Sequence, residues 1–120
     1  SFPLFIRKGR GEVLKSKLKI QETELDLDLK QIQIQNKVEA LSAELSLLIQ
    51  QLNNAQKMRA NYARLLEAEN IKFRNGESSL FLVNSRELKY IDSLVKQFQL
   101  EAKVKATQAK LEAEAAVLYN

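Results

Sequence analysis

The sequence has 120 residues, a formal net charge of +4, and neither Cys nor His. These absences exclude disulfides and thiolate metal sites and remove the commonest general base and transition-metal ligand, so we expect no catalytic, cofactor-binding or metal site. With 45% apolar residues, three Gly and one Pro, the composition favours long helices over a β-fold that needs many turns.

The first eleven residues contain the proline and two of the glycines. Pro3, Gly9 and Gly11 predict an irregular or extended lead-in over residues 1–11. The chain opens with Ser1 and shows no signal peptide, so we expect it to be a segment of a longer protein. Basic residues dominate positions 7–19, which is compatible with an anionic partner or with a solvated helix end. No stacking aromatics are interleaved with them, so we expect no nucleic-acid partner.

Residues 12–74 contain neither Gly nor Pro and predict a first helix about 90 Å long. A helix of this length exceeds what a 120-residue globule can bury, so it predicts a coiled coil or an extended assembly. Apolar residues recur at seven-residue spacing, and a second row two positions out of step lies on the opposite side of the helix. The first row contains Ile20, Leu27, Ile34, Leu41, Leu48, Ala55 and Tyr62, and the second contains Leu18, Leu25 and Ile32, with Leu14 and Leu29 beside it.

The segment from Leu25 to Gln35 also has a second interpretation. Its sequence, LDLDLKQIQIQ, alternates apolar and polar residues, which is typical of a membrane barrel strand. No turn residues bracket the segment, and its apolar residues belong to seven-residue rows that continue on both sides. We therefore favour the helix.

Residues 75–79 predict a tight turn between two antiparallel helices. Gly76 can adopt the left-handed conformation that closes a helix. Ser78 or Ser79 can then cap the next helix through its hydroxyl. On these residues alone the turn is a good helix connector, and neither serine has a candidate base nearby in sequence.

Residues 80–120 predict a returning helix with the same design. Two apolar rows again lie two positions apart, and Gln97 interrupts the second. The rows contain Phe81, Leu88, Val95, Ala102, Ala109 and Ala116, and Val83, Tyr90, Val104, Leu111 and Leu118. An ordinary two-stranded coiled coil needs one apolar seam per helix. Two opposed seams predict an all-α, long antiparallel helical hairpin that is flanked on both sides within a wall.

Three features resemble the TolC-like outer membrane efflux family. Residues 1–5 (SFPLF) with residues 9–11 (GRG) resemble the segment where a barrel strand ends and a long helix begins. The helix of about sixty residues follows. Residues 62–86 (YARLLEAENIKFRNGESSLFLVNSR) resemble the turn at the tip of the family's hairpins. The matching positions are Phe73, Gly76, Ser79, Leu80 and Val83.

The resemblance implies a trimer in which an outer membrane β-barrel continues into a periplasmic α-barrel. This chain would be the periplasmic hairpin of the second repeat, and the outer membrane would be reached through barrel strands outside it. The assembly would be a passive export duct for efflux or type I secretion, connected through a periplasmic adaptor to an inner-membrane pump. The implied adaptor-docking tip consists of Asn75, Gly76, Glu77, Ser78, Ser79 and Leu80.

The tip departs from the family pattern in its polar residues. Some members hold a closed tip with a Tyr and an Arg and constrict it with a ring of Asp. The corresponding positions here are Phe73, Ser78, Leu82 and Ser85, which lack the phenol hydroxyl, the guanidinium and the carboxylates. Any constriction is therefore expected to be apolar, formed by Phe73, Leu82 and Ser85, or to come from the first repeat.

Two other classes of function compete with the duct. A soluble coiled coil or an adaptor hairpin, acting as a protein–protein interaction module, would have one covered seam per helix instead of two. An enzyme would need a pocket that this pattern does not predict. The acidic pairs Glu22/Asp26 and Glu24/Asp28 have helical spacing, but a cation site would need further ligands, so we interpret them as solvated faces.

Overall fold

The computed structural model describes the backbone of residues 2–119 and the side chains of residues 9–119. Two helices, α1 (Phe2–Arg74) and α2 (Leu80–Tyr119), pack against each other and make up the fold over these residues. The molecule measures 110 × 21 × 15 Å, with a radius of gyration of 30.3 Å. A compact domain of this size would have a radius of gyration of about 14 Å. The predicted all-helical extended hairpin is confirmed, and residues 25–35 are helical, not a strand.

The prediction of an irregular lead-in over residues 1–11 is wrong from Phe2 onwards, where α1 already begins; Ser1 lies outside the described residues. Pro3 falls in the first turn, where its missing N–H would have had no helical acceptor. Gly9 and Gly11 each cost a helix about 1 kcal/mol, which is a small penalty in an element of this length. Among the described residues, and apart from the adjacent helix backbone, no group lies within 4 Å of where a Cβ would stand at either position, so the described packing does not require glycine.

The antiparallel register of the helices is marked by one ion pair. Lys37 Nζ lies 2.7 Å from Glu114 Oε1. Seven-residue steps from this pair towards the turn bring Met58 level with Ser93, and both residues line the same shallow groove. In this register α2 extends about 60 Å from the turn, whereas α1 extends about 110 Å. Residues 9–33 of α1 therefore project beyond the end of α2, and all of them are exposed.

One of the two predicted rows on each helix forms the seam between the helices. On α1 it is the row that contains Leu41, which is 8% exposed, and Ala55, which is 9% exposed. On α2 it is the row that begins at Val83, which is 5% exposed. A second row at three- and four-residue offsets completes each side of the seam, as in a coiled coil. These added rows are Val38, Leu45, Leu52, Arg59 and Leu66 on α1, and Arg86, Ser93, Leu100, Thr107 and Glu114 on α2.

The seam is narrow and partly polar. Ser93 and Thr107 are buried in it, and Ser93 Oγ donates a 2.6 Å hydrogen bond to the carbonyl of Tyr90. Gln97, predicted to interrupt an apolar row, is half-buried there and donates a 2.9 Å bond to Glu101. The chain exposes 9877 Å², whereas a compact protein of its mass exposes about 6,600 Å². The hairpin therefore leaves much surface that a globular protein would cover.

We expect Leu41→Ala to destabilise the hairpin by about 2–3 kcal/mol, because it removes a buried side chain from the seam. Leu47→Ala is the matched control, since Leu47 lies on the same paired stretch of α1 but is 55% exposed. The measurement is urea unfolding followed by circular dichroism at 222 nm. Equal midpoints for the two variants would contradict the assignment of the Leu41 row to the seam.

Candidate functional site

The tip of the hairpin is closed by local hydrogen bonds at the end of α1. Gly76 has a φ of 77°, in the left-handed region. The Gly76 N–H donates to the Phe73 carbonyl at 3.1 Å, and the Glu77 N–H donates to the Lys72 carbonyl at 2.8 Å. This pair of bonds is the Schellman motif, which satisfies carbonyls that the helix itself leaves free. Residues 75–79, predicted as the turn, are the five residues between the two helices.

The two serines of the turn have different partners. Ser79 Oγ accepts the N–H of Leu82 at 3.2 Å, which makes Ser79 the N-cap of α2. Ser78 Oγ donates at 2.9 Å to Oε1 of Glu69, one of the most buried residues of the hairpin at 6% exposure. Of the two capping candidates, Ser79 is therefore the cap. The Ser78–Glu69 bond instead ties the turn to the last turns of α1.

The predicted docking tip is exposed apart from Ser78. Asn75, Gly76, Glu77, Ser79 and Leu80 are exposed, and Ser78 is half-buried by its bond to Glu69. Leu80 is 59% exposed and its neighbour Phe81 is 79% exposed. The sequence pattern assigned Phe81 to an apolar row but did not indicate that it lies at the tip. The turn thus presents polar groups beside two uncovered apolar side chains, which is a surface suited to contact with another protein.

The three residues of the predicted constriction lie immediately on either side of the turn. Phe73 is 43% exposed at the end of α1, and Leu82 is 45% exposed in the first turn of α2. Ser85 is half-buried, one helical turn beyond Leu82 on the same side of α2. Within the described hairpin these side chains surround no pore, so a constriction would require neighbouring chains.

The predicted row of α2 that begins at Phe81 is uncovered. Phe81, Leu88 and Val95 are 79%, 64% and 48% exposed, and the row continues as exposed alanines at 102, 109 and 116. Ile91 and Phe98, 52% and 62% exposed, lie three residues after Leu88 and Val95 and widen the row into a seam. We call this surface the outer seam. It lies opposite the seam that packs on α1, because an offset of two residues is about 160–200° around a helix.

The second row of α1 is also uncovered but shorter. Leu18, Leu25 and Ile32 are 54%, 61% and 51% exposed on the projecting part of the helix. The next positions in this row are Glu39 and Ser46, which are exposed and polar. The opposed apolar rows of α1 are therefore confined to the projecting segment, whereas those of α2 run along the helix.

The described residues contain neither a metal-ligand cluster nor a membrane-spanning stretch. No group of three or more potential metal ligands occurs among them, and the Glu22/Asp26 and Glu24/Asp28 pairs lie on the exposed projecting segment. The groove beside Met58 is shallow and open, with a volume of about 200 Å³. Neither helix contains, within the described residues, a stretch apolar and long enough to cross a membrane. Comparison of the chain with protein-family models, curated proteins and solved structures gave no match.

Gly76→Ala is expected to destabilise the hairpin by about 1–2 kcal/mol, because a side chain in the left-handed region is strained. Gly11→Ala is the matched control: it replaces a helical glycine with open space around it, and it should stabilise the helix by up to about 1 kcal/mol. Thermal unfolding monitored by circular dichroism measures both changes. A neutral Gly76→Ala would contradict the closure of the tip through this residue.

The uncovered seams predict that the 120-residue chain self-associates in solution. Sedimentation velocity should show a weight-average sedimentation coefficient that rises with concentration. The double substitution of Leu88 and Val95 to Glu should suppress this rise, because it places charge in the outer seam. Substituting Asn53 and Gln108 to Glu adds the same charge at exposed polar positions outside the outer seam and should leave association unchanged. A monomer at every concentration would contradict the prediction.

Proposed function

We propose that this chain is a wall element of a helical tube, the periplasmic part of a bacterial outer membrane export duct of the TolC-like kind. The observation that carries the proposal is the outer seam of α2. One apolar row of this helix packs on α1 while the opposite row, from Phe81 through Val95, is uncovered. A helix with two opposed apolar seams is stabilised by a neighbour on each side, and a closed ring of such helices meets that requirement for every member.

The polar surfaces of the hairpin support the same proposal. Polar strips separate the two seams of α2 and the two apolar rows on the projecting segment of α1, so a ring of these hairpins would be wet on its inside and its outside. The hairpin's length of 110 Å is suited to a duct that spans a wide aqueous space. In this proposal the protein is a trimer in its complete form, has no enzymatic activity and uses no cofactor, and transport follows the geometry of the tube.

The tip is the proposed contact with a periplasmic adaptor, which would link the duct to an inner-membrane pump. Three properties support this assignment. The turn lies at the end of the molecule, its backbone is held by its own hydrogen bonds, and Leu80 and Phe81 remain uncovered beside exposed polar groups. A preformed surface of this kind loses little conformational entropy on binding, which favours docking. A constriction formed by Phe73, Leu82 and Ser85 belongs to the same proposal.

The second candidate is a soluble coiled coil or adaptor hairpin that acts as an interaction module. The covered α1–α2 seam favours it as much as it favours the duct. The two candidates differ in the outer seam, which is covered by protein in the duct and solvated in a two-helix module.

The test measures the solvent exposure of the outer seam in the intact protein in its native membrane. A single cysteine can be placed without interference from this chain, which has none. A nitroxide label at Val95→Cys should be immobilised and shielded from a water-soluble paramagnetic relaxant. A label at Lys103→Cys, eight residues later and about 80° around the helix on an exposed polar strip, should stay mobile and accessible. Equal accessibility at both positions would exclude the tube and leave the two-helix module.

A further inference from the structure

We propose that one broad face of the hairpin is a docking groove for an acidic amphipathic helix. Lys89, Lys96, Lys103 and Lys110 recur on α2 at seven-residue spacing and form a row, here called the lysine row. All four side chains are exposed. The row is about 30 Å long, the length of a helix of six turns. The inference is independent of the tube, because it requires only the hairpin and its polar surface.

The charge of the lysine row is not neutralised within the hairpin. The ion pair found among the described side chains joins Lys37 to Glu114, so none of the four lysines has a carboxylate within 4.0 Å. Asp92 lies between Lys89 and Lys96 and lines the same groove as both. Four cations therefore share this edge with two acids on their own helix, Asp92 and Glu114, and Glu114 is already paired with Lys37. On α1, Glu44 lies two heptads before Met58 on the facing side. The surplus favours a partner that carries carboxylates at a similar spacing.

The floor of the groove is apolar. Ala55, Met58 and Tyr62 of α1 line it opposite Lys89 and Lys96 of α2, and Met58 is 49% exposed. Leu47 and Leu65, 55% and 40% exposed, lie about three turns before and two turns after Met58, on the same side of α1. Exposed Gln51, Asn54 and Asn61 lie between them on this side. The face thus combines three separate uncovered apolar side chains on one helix with a line of cations on the other.

An acidic amphipathic helix matches both lines at once. Its apolar stripe would pack on Leu47, Met58 and Leu65, and its flanking carboxylates would reach the lysine row. If the lysine row were only a solvated surface, it would not need apolar residues beside it. A purely polar polyanion would bind the lysines but could not pack on the apolar floor. The occupant that we infer is therefore a helix with glutamates or aspartates beside a leucine-like stripe.

The test uses a labelled synthetic peptide with leucine at the first and fourth positions of each heptad and glutamate at the flanking positions. Fluorescence anisotropy should show saturable binding to the 120-residue chain, weakened by added salt. A peptide of the same composition in scrambled order should bind at least about tenfold more weakly, because it cannot pack and pair together. Equal binding of the two peptides would overturn the groove in favour of non-specific attraction.

Variants locate the binding on the molecule. Substituting Lys89 and Lys96 to Glu should weaken binding of the amphipathic peptide by about tenfold. Met58→Ser should also weaken its binding, because it removes part of the apolar floor. Lys57 and Arg64 form the matched control, since both are exposed, are seven residues apart, and give the same change in charge when replaced by Glu. Loss of binding in that control, or in a variant with Lys15 and Lys19 changed to Glu on the projecting segment, would overturn the assignment.

Circular dichroism of every variant confirms that the helices are retained, so a loss of binding reports the surface. An absence of binding by the unmodified chain would also overturn the inference. That result would not bear on whether Val95 is covered by protein, so the two proposals can be refuted independently.

Discussion

The structure depends on one constraint: a long helix with apolar residues on two sides cannot satisfy both sides with a single partner. In this hairpin α2 covers one side through Val83 and the residues that follow it at seven-residue spacing. The other side, from Phe81 to Phe98, is left to solvent. Burial of apolar surface contributes about 25 cal/mol per Å², so an uncovered seam along α2 represents several kcal/mol of available association energy. This uncovered surface is what the proposed assembly would use.

The composition of the covered seam also indicates limited stability of the α1–α2 pair. It contains Ser93 and Thr107 at buried positions, and the buried Nε of Arg59 and Oε1 of Gln97 have no hydrogen-bond partner within the hairpin. Polar groups buried without partners reduce the stability of a helix pair. A coiled coil selected for maximal stability as a pair would place aliphatic residues at these positions. In the proposed tube, neighbouring helices would supply the stabilisation that the α1–α2 pair lacks.

Much of the fold was predictable because helical periodicity and turn chemistry are local properties. Gly76, the N-cap at Ser79 and the helix boundaries around them follow from the identity of a few adjacent residues. The lead-in was predicted wrongly because Pro3 and Gly9 were treated as breakers, whereas a helix start tolerates proline and a long helix tolerates glycine. Which apolar row pairs within the hairpin could not be predicted, since both rows of α2 satisfy the same pattern.

The candidate site was predictable to a smaller extent. The tip residues were identified from the turn, but the bond from Ser78 to Glu69 joins residues nine positions apart and depends on the closed geometry of the turn. The exposure of Phe81 depends on where α2 starts relative to α1, which the sequence pattern does not specify. The lysines recur in the sequence at seven-residue spacing, but the sequence does not show that Met58 lies beside Lys89 and Lys96.

The two ends of the molecule differ in how much they rely on a partner. At the tip, the Schellman bonds, the N-cap and the Ser78–Glu69 bond lie within a few residues of one another, so this end is held by local interactions. At the other end, residues 9–33 of α1 are exposed along their whole length and no helix lies beside them. An isolated helix of this kind is marginal in water, because most helical stability in proteins comes from packing. In the proposed tube, the tip is therefore organised before assembly, whereas the projecting segment would gain its stability from neighbouring helices.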